Sequence, residues 1–265
     1  MRLFLSFATL LLSSGYVDAK ECQDEIPCQL DGRSYHVKVP DDWDGVTPMP
    51  VMLHFHGWMR QGTLIVKHGR ISGATRRRGV LLLAPNGQGK TWDFWSPNSD
   101  DSVFADAVIE DAAKHYPIDR SQIFISGYSY GAAMAWRFAC ETTHPIAALL
   151  SVSGTLRQTE TCASIPKEVR HVHGTADTVM DFPFGPGGDT TYPVQLWRDA
   201  KNCGDGVKSG SWSVQPTDTF VRTNWENCED GGAVRIDVHT RGHFIPKGWF
   251  ARQLDELLGL ENSYP

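Results

Sequence analysis

The chain has 265 residues, 41% of them hydrophobic, which suits one domain with a substantial core. Its formal net charge of −6 argues against nucleic acid as a partner. Past the first residues, no run is long and apolar enough for a membrane helix.

The N-terminus reads as a secretory signal peptide over residues 1–19. Arg2 supplies the basic start, Leu3 to Leu12 an apolar run too short to span a bilayer, and Val17-Asp18-Ala19 a small-residue cleavage site. Residues 20–265 then form one exported domain, with no membrane insertion after cleavage. Six cysteines follow the cleavage site, and an even count in an exported chain predicts three disulfides. The expected pairing is sequential: Cys22 with Cys28, Cys140 with Cys162, Cys203 with Cys228. No C-x-x-C is present, so zinc and dithiol redox chemistry are not indicated.

Strand-like and helix-like segments then alternate. Strands are expected at residues 35–39 and 50–55, the second running into His54-Phe55-His56-Gly57-Trp58. A helix over 63–78 ends in Arg76-Arg77-Arg78, expected to face solvent and complement the helix dipole. A strand at 80–84 precedes Trp92-Asp93-Phe94-Trp95, and a helix is expected at 102–116. The strand at 122–126 leads through Gly127-Tyr128-Ser129-Tyr130-Gly131 into a helix at 130–140. Strands at 147–153 and 169–173 follow, then a Gly- and Pro-rich loop at 181–189, a helix at 193–201 and a looped insertion at 204–219 carrying Trp212. A strand at 234–240 and a helix at 248–258 close the domain. Near-continuous apolar strands alternating with helices imply an α/β fold with a mostly parallel central sheet flanked by helices on both faces.

Strand, G-x-S-x-G, helix is the setting of a nucleophile elbow. The tight turn lifts the Ser129 hydroxyl above the sheet edge, leaves room only for glycine two residues to either side, and points the Tyr130 amide at a developing oxyanion. A serine needs a base and a carboxylate that orients it, in the chain order Ser, Asp or Glu, His. His243, in the loop Arg241-Gly242-His243-Phe244 just past a strand, is the expected base; His239, on the polar face of that strand, reads as solvated. Asp177, in the loop after the strand ending at His173, is the expected acid, with Asp181 as the alternative. Asp199, Asp205, Asp218 and Asp230 read as solvated. The second oxyanion donor is expected from the amide of Trp58, where Gly57 permits close backbone approach. His54 and His56 alternate along one strand; buried imidazoles supporting the loop are favoured there over metal ligands, because no further ligands cluster nearby. Trp92, Trp95 and Phe182 are the candidate walls of a substrate pocket.

Several of these stretches together resemble the secreted polyhydroxybutyrate depolymerase-like esterases, a group that includes feruloyl and acetylxylan esterases. They are residues 116–134, His56-Gly57, Trp92-Asp93-Phe94-Trp95, His173-Gly174-Thr175-Ala176-Asp177, Lys201-Asn202-Cys203-Gly204 and Gly242-His243-Phe244-Ile245-Pro246. The resemblance implies an α/β-hydrolase fold, an exported serine esterase without cofactor or metal, and Ser129, Asp177 and His243 as nucleophile, acid and base. It implies an ester as the substrate partner: a hydroxybutyrate-type oligomer, or alternatively a feruloylated or acetylated polysaccharide. The sequence departs from the family at Thr91, Tyr130 and Ala132, all near the expected pocket. The rival readings are a serine peptidase, a metal-dependent hydrolase and a catalytically inactive hydrolase-fold binding protein. Oligomeric state is not legible in the sequence.

Overall fold

A computed structural model describes residues 22–156, 160–180, 192–229 and 231–264. The expected signal peptide, the loop at 181–189 with Asp181 and Phe182, and Asp230 lie outside these residues.

The strands form one ten-stranded sheet in the order β1-β2-β4-β3-β5-β6-β7-β10-β9-β8. Its centre is parallel and comprises β3 (Met49–Phe55), β4 (Leu81–Pro85), β5 (Ile118–Tyr128), β6 (Ile146–Val152), β7 (Glu168–Gly174) and β10 (Ala233–His239). Antiparallel strands close both edges: β1 (Cys28–Leu30) and β2 (Arg33–Lys38) on one side, β8 (Val207–Ser213) and β9 (Thr219–Trp225) on the other. The central strands are apolar on both faces because both faces are covered. The two-residue period sends Val51, Leu53 and Phe55 of β3 into one core and Met52 into the other. The first core packs beneath α3 (Asp100–His115) and α4 (Tyr130–Glu141), through Phe104, Val108, Trp136 and Phe138. The second packs beneath α1 (Gly62–Lys67), α2 (Ser72–Arg76) and α6 (Trp249–Leu257), through Ile65, Ile71, Trp249, Phe250 and Leu254. The remaining helix is α5 (Gln195–Ala200). With this sheet order and these layers the chain has the α/β-hydrolase fold.

The three disulfides join Cys22 to Cys28, Cys140 to Cys162 and Cys203 to Cys228, the sequential pairing. Among the described residues, no helix is long and apolar enough to cross a membrane.

Five expectations need correction. The single helix at 63–78 is two short helices, separated where His68 turns extended (φ −77°, ψ 104°) before Gly69. The insertion at 204–219 contains β8, whose side chains are exposed except Trp212, so no apolar face marked it as a strand. Arg78 does not face solvent: its guanidinium lies in a shielded ion pair with Asp255, only 8% and 3% exposed. Asp218 and His239 are buried as well. Asp218 pairs with Arg241 at 2.7 Å. His239 sits between Phe220 and Phe244, because the polar face of β10 is roofed by α6 and the β8–β9 hairpin instead of water. That roof is held by Asp237, which accepts hydrogen bonds from the indoles of Trp212 and Trp249 and pairs with Arg222.

Candidate active site

Ser129 stands between the end of β5 and the start of α4 at φ 58°, ψ −125°. That conformation is strained for any residue with a Cβ. The flanking glycines are required sterically. A Cβ on Gly127 would lie 2.1 Å from the Gly131 carbonyl oxygen, and one on Gly131 would lie 2.1 Å from the carbonyl oxygen of Phe55 and 2.4 Å from that of His56. The first turn of α4 therefore presses directly on the loop that follows β3. Ser129 N–H donates to Val152 O at 3.0 Å, tying the turn to β6.

Asp177 and His243 are brought together from loops beyond β7 and β10, neighbouring parallel strands whose C-terminal ends point the same way. His243 Nδ1 lies 2.7 Å from Asp177 Oδ2. The other carboxylate oxygen accepts the amides of Val179 (2.9 Å) and Met180 (3.0 Å). Burial alone would raise this carboxyl's pKa. Hydrogen bonds from His173, His243 and the two amides outweigh it and hold Asp177 well below the usual carboxylate range, so it is ionised. Tyr128, immediately before Ser129, connects this pair to the elbow. Its ring lies 4.8 Å from that of His243, and its hydroxyl donates to the His243 carbonyl at 3.1 Å. Burial, reinforced by the Asp177 charge, raises the Tyr128 pKa to about 12, so it remains a donor.

The loop after β3 is built around His56. Its Nδ1–H donates to Gly57 O (2.8 Å) and its Nε2 accepts from Gly87 N–H (3.0 Å), so both ring nitrogens are used. His54 Nδ1 lies 2.8 Å from Ser126 Oγ. Burial keeps both imidazoles neutral, with pKa values lowered to about 3 for His54 and about 4 for His56. They act as struts of the loop. Trp92 belongs with them: it is 2% exposed, its indole donates to His56 O at 2.7 Å, and its ring packs edge-on against Phe55 at 5.0 Å. The expectation that Trp92 walls a pocket is therefore corrected, because its polar atom is spent on the loop's backbone. Trp58 is 62% exposed, and its ring lies 6.4 Å from that of Tyr130, so the loop after β3 and the start of α4 meet at the residues expected to supply the oxyanion donors.

Trp95, 64% exposed, lines a cavity of about 300 Å³ with Phe94, Tyr130, Leu156, Met180 and Tyr192. Arg137 at its wall is paired with Glu160 and Glu141, so the cavity is apolar with a neutralised polar corner. A second cleft, between Gly57, Tyr128 and Phe244, is lined by Arg60, Lys67 and Arg70. The two clefts flank the elbow. Sequence reasoning missed Tyr128 as a link between the Ser129 turn and the His243 loop, and missed His171, His173 and Ser151 behind Asp177. The only signal for that group was the alternation of His171 and His173 in an otherwise apolar strand.

A phospholipase/carboxylesterase family model matches residues 100–203, the stretch that carries the elbow. The chain is similar to probable feruloyl esterase C of Aspergillus niger, 29% identical over 164 residues, and that alignment spans 59% of each protein. Feruloyl esterase C of Emericella nidulans is 26% identical over 222 residues, covering 78% of this chain and 80% of that protein. A bifunctional acetylxylan esterase/xylanase of Neocallimastix patriciarum is 25% identical over 205 residues, covering 76% of this chain and 27% of that protein. Among solved structures, an acetyl xylan esterase from Aspergillus awamori superposes with a TM-score of 0.60 at 15% identity, over 85% of this chain and 93% of that one. At that identity the superposition speaks for the fold.

Proposed function

Taking an α/β-hydrolase-fold chain with named esterases among its relatives as the premise, we propose that it is an exported serine hydrolase of carboxylic esters, with Ser129, His243 and Asp177 as its triad. The observation that carries this reading is the Asp177–His243 hydrogen bond at 2.7 Å beside a serine held in a strained strand-to-helix turn. In this mechanism the Ser129 hydroxyl attacks the ester carbonyl as His243 Nε2 takes its proton, and ionised Asp177 holds the imidazole and stabilises its cation. The amides of Trp58 and Tyr130 receive the oxyanion, aided by the positive end of α4. His243 then protonates the departing alcohol. Water, activated by the same imidazole, hydrolyses the acyl-enzyme.

The apolar cavity under Trp95 and Tyr130 suits the acyl group, and the cleft beside His243 suits the alcohol, which leaves from the side of the base. An aromatic-walled acyl cavity and relatives named as feruloyl and acetylxylan esterases favour acylated plant polysaccharide as the substrate class. Hydroxybutyrate-type oligomers are the second reading, supported by the elbow stretch at residues 116–134 and its family resemblance. A matched panel of methyl ferulate, acetylated xylan, 3-hydroxybutyrate oligomers and an anilide peptide analogue separates them. Highest kcat/KM on ferulate or acetylxylan is expected. Preference for the oligomers moves the assignment to polyester, and cleavage of the anilide alone contradicts ester hydrolysis.

A further inference from the structure

Behind Asp177, on the side away from the expected substrate, runs a buried row of polar side chains with no place in the chemical steps. Ser151 of β6 and His171 and His173 of β7 are all no more than 1% exposed. Ser151 Oγ lies 3.0 Å from His171 Nδ1, His171 Nε2 lies 3.1 Å from His173 Nδ1, and His173 Nε2 lies 3.0 Å from Asp177 Oδ2. That is the same oxygen that His243 Nδ1 approaches at 2.7 Å.

The direction of each proton follows from the acceptors. His173 Nε2 also faces the Met180 carbonyl at 2.9 Å. A carbonyl and an ionised carboxylate only accept, so Nε2 must carry the hydrogen. The Nδ1 of a neutral His173 is then a lone pair, and His171 Nε2 must donate to it. His171 Nδ1 is in turn an acceptor, facing at 3.0 Å the Ser151 hydroxyl, whose other acceptor is the Gly154 carbonyl at 3.2 Å. Burial pushes the His171 pKa well below its ordinary value, in keeping with a neutral ring. Every proton in the row thus points toward Asp177.

We propose that His173 is a positioning residue for the proposed triad: its Nε2–H fixes the Asp177 carboxylate for His243, and Ser151 and His171 lock the tautomer that makes this possible. The proposal rests on the triad reading. Its physical basis is that a carboxylate held from one side only is free to rotate. Asp177 Oδ1 is held by two backbone amides, and among the described residues His173 and His243 supply the side-chain donors to this carboxylate. A purely space-filling role at such a site is better served by an apolar side chain, since two buried imidazoles carry a desolvation penalty that only hydrogen bonding offsets. Among the described residues, the groups around the row are Trp136 of α4 against His171, His239 of β10 beside His173 and Asp177, Tyr128 at the end of β5 and Arg241 in the loop after β10.

The test uses the full mature chain with disulfides intact and an ester it hydrolyses. His173→Leu is expected to lower kcat about 10- to 100-fold, by analogy with loss of the hydrogen-bond partner behind a metal-ligating side chain, with KM within about twofold. Removing a donor to the charged carboxylate makes Asp177 more basic and holds the His243 cation more firmly. The acid limb of the kcat profile therefore moves to higher pH. His173→Gln, which restores an N–H donor, is expected to recover much of the loss. A His173→Leu enzyme with kcat within twofold of wild type, or with an unmoved acid limb and no rescue by glutamine, overturns the proposal. If the leucine variant does not fold, nitrogen-15 NMR of the wild-type chain decides. Protonated Nε2 and unprotonated Nδ1 at His173 are expected, and the opposite tautomer or a cationic ring overturns it. A wild-type chain that hydrolyses no ester, with the expected tautomer present, sinks the triad reading instead.

Discussion

At the scale of single residues, the site is defined by places where ordinary side chains do not fit. Ser129 occupies φ 58°, ψ −125°, a region that glycine adopts freely and other residues enter at about 1–3 kcal/mol. Ser129→Gly should therefore be more stable than Ser129→Ala by on the order of 1 kcal/mol, read as a higher melting temperature, although both lose activity. Equal melting temperatures would mean the turn stores no strain. Gly131→Ala is expected to be worse than either, because its methyl group would meet two backbone carbonyls that cannot move without displacing the loop after β3. A loss of at least ~2 kcal/mol together with abolished activity is expected, read by thermal melt and ester assay. These positions were legible in the sequence because glycine and serine at fixed spacing after an apolar strand have a steric reason. Trp92 was not legible. An indole near the site is equally compatible with a pocket wall or a strut, and only the position of the His56 carbonyl decides.

At the scale of elements, α4 carries the elbow at its first residue and a disulfide at its far end, where Cys140 joins Cys162. The bridge closes a loop with a sequence separation of 22, and removing it as the Cys140→Ser/Cys162→Ser double variant should cost about 3 kcal/mol. Chemical denaturation checks this. An unchanged midpoint would show that the loop is constrained without the bridge. The central strands and the long helices α3 and α4 were readable because their periodicity reflects burial on one or two faces. The β8–β9 hairpin was not, because β8 is almost wholly solvated and its one buried residue, Trp212, docks on Asp237 from a distant strand. His239 was misread for the same reason: alternation tells which side chains share a face, and a roof of α6 and the hairpin decides whether that face is wet.

At the scale of the whole molecule, the sheet and the loop after β3 hold buried imidazoles. His54, His56 and His239 have pKa values lowered by burial to about 3, about 4 and about 4. Folded, they stay neutral where an unfolded chain protonates near 6.5, so the unfolded state binds more protons below that pH. Their contribution to stability is complete above about pH 6.5 and is lost as pH falls toward 4, at up to roughly 1.4 kcal/mol per pH unit for each group. The melting temperature should therefore drop steeply between pH 6.5 and 4.5 and level off above 7. A flat profile across that window would mean that these rings are protonated without unfolding the sheet. The Asp177 carboxylate adds to acid lability only below its unfolded pKa near 3.9, so the two contributions separate on the pH axis.

The claim on which all of this turns is that Ser129 is the nucleophile. Intact-mass spectrometry of the purified protein after exposure to a fluorophosphonate tests it most directly. One adduct per chain is expected, located on the peptide containing Ser129 and absent from Ser129→Ala. An unlabelled wild-type chain, or an adduct that persists in the alanine variant, would contradict it.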